Sequence, residues 1–416
     1  MKSQTKQIFE HLNMLSEGAG LFCVDEQKRS NNEQAVIEAH PWAPRLKRYL
    51  HEAGEYGASW VYFRLHSQSG APRPEIFIFD QTENLANSST AVELAKLHKQ
   101  LWNYGNVPLV FVLKSTGVDV FNMLIKPVLD ENGEPLSPDV LETLELSVAD
   151  KLSLTGASIK GTKKKQLDSW KRFDAAHFDN GYFWEMSDNE SLGNANDAAL
   201  SSLVGEMKSA RELIENQISN IFDETERNDL VRRLLIVILM IRFLEERGIL
   251  PDDYFSELSN EGLLGVLHSS ELILKALDKL TNDFNGDVFY VEESIRKSIK
   301  KLPPENLVAF ANFADNSSLG NQRCFWKLYS FKDLPVEVIS YVYEDFLGGK
   351  SQSYYTPHHL VNLMLDEAMP PSRTIEKIKS SKSQKSFSIL DPSCGSGVFL
   401  VGAWERLLEA YLNTSD

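Results

Sequence analysis

The chain has 416 residues, a formal net charge of −16, 42% hydrophobic and 25% charged residues, a composition that fits a water-soluble protein of two or three folded domains. No apolar run approaches a membrane span, the first residues lack the apolar core of a secretion signal, and Cys23, Cys324 and Cys394 have no metal-ligand spacing and suit a reducing cytoplasm. The acidic balance opposes general affinity for phosphate backbones, so contact with nucleic acid has to come from local patches or from another part of an assembly.

Residues 1–150 read as a mixed α/β domain. Trp60–Arg64, Glu75–Asp80, Leu109–Leu113 and Val118–Asn122 are rich in β-branched and aromatic residues and are expected to be strands. Ala91–Trp102 is amphipathic and predicts a helix between the second and third, broken by Asn103-Tyr104-Gly105-Asn106. Residues 151–197 read as a linker region. It contains the basic cluster Lys160-Gly161-Thr162-Lys163-Lys164-Lys165, which reads as a solvated connection or as a phosphate contact.

Residues 198–347 read as a helical domain. Leu230–Glu246 is apolar over most of its girth, with Gly248 placed for a C-terminal cap and Pro251 beyond it. Such a helix belongs at the centre of a bundle. Arg242 and Glu246, four apart, are expected to pair on one face. Trp102, Trp170, Trp184 and Trp326 are scattered, which favours core packing over a base-stacking platform.

The most informative residues lie in 348–416. Thr356-Pro357 before His358–Leu365 is an N-cap followed by proline at the first helical position. A basic, Ser-rich loop is expected from Ser372 to Ser386. Then comes Ser388-Ile389-Leu390, expected as the buried end of a strand, and Asp391-Pro392-Ser393-Cys394-Gly395-Ser396-Gly397-Val398-Phe399, a small-residue turn into an apolar-periodic helix running through Leu412. Glycines allow a tight turn and a close approach of ligand to backbone, and the amides at the start of the helix face that turn.

The Tyr355-Thr356-Pro357 element followed by Asp391–Phe399 closely resembles N6-adenine DNA methyltransferases of the type I and type IIG restriction–modification kind. The sequence departs from their pattern at Ser393, where Ala is usual, and near Gln352, where Gly is common. Ile241–Leu250 and Leu334–Leu347 resemble helical segments upstream of the same motifs. The resemblance implies a Rossmann-like methyltransferase domain, S-adenosylmethionine as cofactor and double-stranded DNA as substrate. It also implies that Tyr355, Thr356 and Pro357 line the methionine end of the cofactor while Asp391, Pro392, Cys394, Gly395 and Gly397 shape the turn beneath it. In that family an Asn/Asp-Pro-Pro-Tyr/Phe motif further on holds the flipped adenine. No such motif follows Gly397, and the pairs Pro303-Pro304 and Pro370-Pro371 continue with Glu305 and Ser372.

The expectation is therefore an incomplete methyltransferase domain, truncated before its catalytic motif and inactive by itself. Its expected partners are the remaining methyltransferase portion, a specificity subunit or a nuclease. A non-catalytic scaffold that binds DNA or a partner is the alternative. N-terminal domains of related defence systems include nucleases of the PD-(D/E)xK kind. Glu75, Asp80 and Lys114 are the nearest candidates for that chemistry here, but Val112 stands where an acidic metal ligand is expected, so a degenerate or structural domain is expected.

Overall fold

Strand order follows chain order in one six-stranded mixed sheet, β1 (Leu21–Cys23), β2 (Trp60–Arg64), β3 (Arg73–Asp80), β4 (Leu109–Lys114), β5 (Gly117–Asn122) and β6 (Glu142–Glu145). The computed structural model describes residues 2–65, 71–82, 91–147, 168–189, 192, 198–284, 289–315, 325–335, 338–339, 342, 356, 358–380, 388–395 and 397–412. Four of the strands were legible in the sequence; β1 is only three residues long, and β6 reads Glu-Thr-Leu-Glu, which lacks an apolar alternation. All neighbours are antiparallel except β3 and β4. Those two are parallel because a helical crossover joins them.

Helices α1 (Ser3–His11), α2 (Asn31–Ala39), α3 (Ala43–Glu55) and α4 (Ala91–Tyr104) accompany the sheet. Side-chain alternation divides the core into two layers. On one face Ile76, Ile78, Phe111 and Leu113 pack with Ile8 and Phe9 of α1 and with Phe173, Phe178 and Phe183. On the other, Phe77, Val110 and Phe63 pack with Leu46 and Leu50 of α3 and with Leu101 of α4. Within the stretch expected as a connection, residues 168–172, α5 (Ala175–Asp179) and α6 (Tyr182–Glu185) are helical, and they cover the first face. Aromatic residues at 170, 173, 178 and 183 are the sequence signal for that burial. Lys160–Lys165 lies outside the described residues.

The chain divides into two compact units. One joins residues 1–128, 136–198 and 356–416; the other contains 129–135 and 199–355. The second unit is helical: α7 (Ala198–Gln217), α8 (Glu224–Glu246), α9 (Gly262–Leu267), α10 (Ser270–Asp283), α11 (Glu293–Lys301), α12 (Pro304–Ala314) and α13 (Phe325–Leu328). Helix α8 starts six residues before the apolar run, because Asp223 caps it by accepting from the Glu226 amide at 2.8 Å. Its end is a Schellman cap: Gly248 has φ +67°, its amide bonds Glu245 O, and the Ile249 amide bonds Leu244 O. Arg242 pairs with Glu245 at 3.0 Å rather than with Glu246, whose Oε2 instead accepts from the Phe331 amide at 2.8 Å. Trp326 is buried, as are Trp102 and Trp170 of the first unit.

The remaining helices of the first unit are α14 (His358–Ala368), α15 (Pro371–Ser380) and α16 (Val398–Leu412). The expected loop at Ser372–Ser386 is thus helical over its first half. Pro371 occupies the first position, and Thr374 is buried with its hydroxyl bonded to Pro370 O at 3.0 Å. Ser388-Ile389-Leu390 forms no strand. Leu390 is 85% exposed, and no neighbouring strand among the described residues pairs with it. Mixed α/β with added helices describes the chain; a six-stranded mixed sheet is present, and a Rossmann-like sheet around residues 388–390 is not seen among the described residues.

Candidate functional site

The two motif-bearing helices lie side by side. Gly402 of α16 faces α14 so closely that a Cβ there would stand 2.6 Å from Leu365 Cδ1 and 3.9 Å from Val361 Cγ1. Val361, Leu365, Met369, Val398 and Ala403 form one buried cluster with Phe399 and Leu407 against it. One turn further, Arg406 of α16 donates to Asn362 O and Oδ1, both at 3.2 Å, and pairs with Asp366. Leu365 meets Gly402, Asp366 meets Arg406, and Met369 lines one hollow with Glu409 and Ala410, so the contacts advance in the same direction along both helices, which run parallel. Their N-terminal ends, at His358 and Val398, therefore lie at the same end of the pair.

At that end α16 opens from a turn built by local chemistry. Asp391 Oδ1 accepts from the Ser393 amide at 3.0 Å, the Gly397 amide bonds Cys394 O at 2.7 Å, and Gly397 O accepts the helix's Val401 amide at 2.9 Å. Gly395 has φ +51° and Gly397 φ +85°, in the left-handed region that favours glycine. Among the described residues a Cβ at Gly397 would meet nothing within 4 Å. Open space therefore lies beside the backbone there. The first amides of α16, from Val398 to Leu400, have no carbonyl one turn earlier within the helix and carry the positive end of its dipole.

Pro392, Ser393, Cys394 and Gly395 are exposed, and Asp391, Gly397 and Thr356 are half-buried. Tyr355 and Pro357 lie outside the described residues. The structure thus brings the starts of α14 and α16 to one end of a helix pair.

The candidate nuclease residues are not gathered round one point. Asp80 accepts from Thr5 Oγ1 at 2.8 Å and from Thr82 Oγ1 at 2.7 Å. Burial pushes its carboxyl up, but these bonds outweigh burial and hold it below its ordinary value. Lys114 pairs with Asp119 of the neighbouring strand. Asp80 stands in register with Leu113, so Lys114, one residue on, projects from the opposite face of the sheet.

Glu75 is different again. Tyr62 pairs with Ile76 and Phe63 with Pro74, leaving Glu75 as the extra residue of a β-bulge. The bulge buries its carboxylate, which accepts from Trp184 Nε1 at 3.1 Å. Burial raises its pKa to about 7 despite the nearby Arg64. Among the described residues no group of three or more His, Cys, Asp or Glu side chains is placed to hold a metal ion.

One set of charged residues escaped the sequence reading altogether. Helix α3 turns Leu46 and Leu50 to the sheet and Arg45 and Arg48 to the motif helices. Arg45 contacts Glu409 at 3.2 Å and Asp366 at 3.4 Å, and lies over the Trp42 ring at 4.3 Å. Arg48 reaches Glu409 at 3.3 Å and Glu405 at 4.0 Å. Asp366 is shared between Arg45 and Arg406, whose side chains are 8% and 3% exposed. For Arg45, burial disfavours the charge, but Glu409, Tyr49 and Asp366 outweigh it and raise the pKa. For Arg406, burial and the neighbouring Arg45 win over Asp366 and lower it. Guanidinium groups remain charged in either case. No spacing signal could have found this set, because its partners lie 321 and 364 residues apart in the chain.

Residues 334–416 match the family described as N-6 DNA methylase, which supports an N6 DNA methyltransferase assignment for that segment. Neither a characterised protein nor a solved structure matches the chain. No helix among the described residues is long and apolar enough to cross a membrane.

Proposed function

We propose that this chain is the cofactor-binding part of a site-specific DNA adenine-N6 methyltransferase, a component of a restriction–modification or phage-defence system that acts on double-stranded DNA in the cytoplasm. The observation carrying this reading is the parallel packing of α14 and α16, which sets the two motif-bearing helix starts at one end. The family match over residues 334–416 supports the same reading.

The residues present fit S-adenosylmethionine. Helix-start amides suit its carboxylate, the open backbone at Gly397 permits close approach, and half-buried Asp391 supplies negative charge for a sulfonium. Tyr355, Thr356 and Pro357 would line the methionine end. Pro392, Cys394 and Gly395 would shape the turn, with Cys394 serving as a small side chain rather than as a nucleophile. When bound, the cofactor supplies an electrophilic methyl group. This chain's residues bind and orient it; the adenine would be held by an Asn/Asp-Pro-Pro-Tyr/Phe motif absent from this sequence. That motif would come from the remaining methyltransferase portion, with a specificity subunit or a nuclease as further partners.

Titration calorimetry of the full chain with S-adenosylmethionine tests the reading. Saturable one-site binding is expected, weakened about ten-fold or more by Gly397→Val, which forces a β-branched residue into a left-handed conformation. Methyl transfer to DNA by residues 1–416 alone is not expected. Absence of cofactor binding overturns the reading. It would favour the second one, a scaffold, for which the exposed apolar side chains of Leu363, Met364, Leu390 and Trp404 speak.

A further inference from the structure

Arg45 belongs to the N-terminal sheet domain, yet its charge is neutralised by the motif helices. The contacts form one chain. Arg48 and Arg45 share Glu409 of α16. Arg45 then reaches Asp366 of α14, and Asp366 pairs with Arg406 of α16. Arg406 ends the chain on carbonyls of both helices, Gly402 O at 3.0 Å and Asn362 O at 3.2 Å. Gly402 and Asn362 each stand four residues after the first residue of their helix. Arg406 therefore ties α14 and α16 at equal depth, about one turn below the ends that carry Thr356 and the Gly395–Gly397 turn, and Arg45 holds both helices deeper, at Asp366 and Glu409.

Among the described residues the buried apolar cluster between the two helices has five members, and Gly402 beside it brings no side chain that could lock the sliding of one helix along the other. Directional ion pairs lock it better than apolar contact does, because each guanidinium is planar and its donors are fixed in a fork. We propose that Arg45 is a positioning residue for the cofactor site: from the N-terminal domain it holds Asp366 and Glu409 so that the two motif-bearing helix starts stay level. This rests on the functional reading above. The N-terminal domain is then part of the methyl-donor site's support, whether or not it has chemistry of its own.

The test is an Arg45→Met variant of the full chain, with Arg45→Lys as the conservative partner. Two measurements are made well below the melting temperature: amide hydrogen exchange and calorimetric binding of S-adenosylmethionine. In Arg45→Met, exchange is expected to accelerate about ten-fold or more at the helix-bonded amides of residues 362–366 and 402–406, with the amides of β3, β4 and β5 unchanged. Cofactor affinity is expected to fall about ten-fold. Arg45→Lys, which keeps a charge but not the fork, is expected to recover part of both effects.

Acceleration spread equally over the sheet would mean that Arg45 merely stabilises the fold, and would overturn the proposal. So would local acceleration with unchanged affinity, or no acceleration at all. If the wild-type chain does not bind the cofactor, the functional reading fails at that point and takes this proposal with it; the failures are told apart because that one appears before any substitution is made.

Discussion

The N-terminal sheet and the C-terminal helices of the same unit are held by different forces. The sheet carries two continuous apolar layers, one on each face. Among the described residues helices α14 and α16 share a small apolar cluster and leave Leu363, Met364, Trp404 and Leu412 exposed. They are tied to α3 by the ion pairs of Arg45 and to each other by Arg406–Asp366. Apolar burial tolerates small shifts and fails globally, whereas a buried ion pair fixes geometry and fails locally when one partner is removed. A region whose task is to keep two helix ends aligned gains more from the second kind of contact.

Truncation inside the sheet gives the largest expected effect. Phe111 is fully buried and meets the Phe173 ring edge-on at 5.8 Å. Phe111→Ala is expected to cost about 4 kcal/mol, read in denaturant titration as a single loss of the ordered signal of the first unit. A separate early transition would break the comparison. Asp366→Ala, which strips Arg45 and Arg406 of a shared partner, is expected to cost about 3 kcal/mol. That loss should appear as fraying of residues 358–412, by limited proteolysis, while the sheet persists.

Acidity sharpens the contrast on the sheet side. Burial raises Glu75 to about 7 from its ordinary 4.5, so between those values the folded chain holds a proton that the unfolded chain has released. Stability therefore falls as pH rises through that window, by no more than about 3 kcal/mol. Glu75→Gln, which is neutral throughout and still accepts from Trp184, should flatten the pH dependence of the melting temperature between pH 4.5 and 7. An unchanged slope would remove Glu75 as its source. The smallest effect is expected for Gly402→Ala. Its methyl group would stand 2.6 Å from the Leu365 Cδ1 atom, and displacing that flexible tip should cost about 1 kcal/mol, with the loss confined to the α14–α16 contact in hydrogen exchange.

The same contrast decides what could be read from sequence. Strands with β-branched and aromatic runs were legible because the signal is local, as in Leu109–Lys114. The helix that follows Thr356 and the left-handed glycines before α16 were legible for the same reason, as local patterns with a backbone purpose. Leu390 misled because its apolar side chain reads as buried, whereas exposure is set by neighbours that the local pattern does not contain. Arg45 and Arg48 on α3 carry no local signal of a partner, and only the fold brings Glu409 to them.

The unit that contains the sheet is discontinuous: residues 199–355 are interposed before residues 356–416 rejoin it. On a translating ribosome, α3 is made early and Glu409 very late. Until then Arg45 and Arg48 ride on a nascent domain with their charges solvated. Contact between α3 and the motif helices is thereby deferred until the interposed helices have emerged.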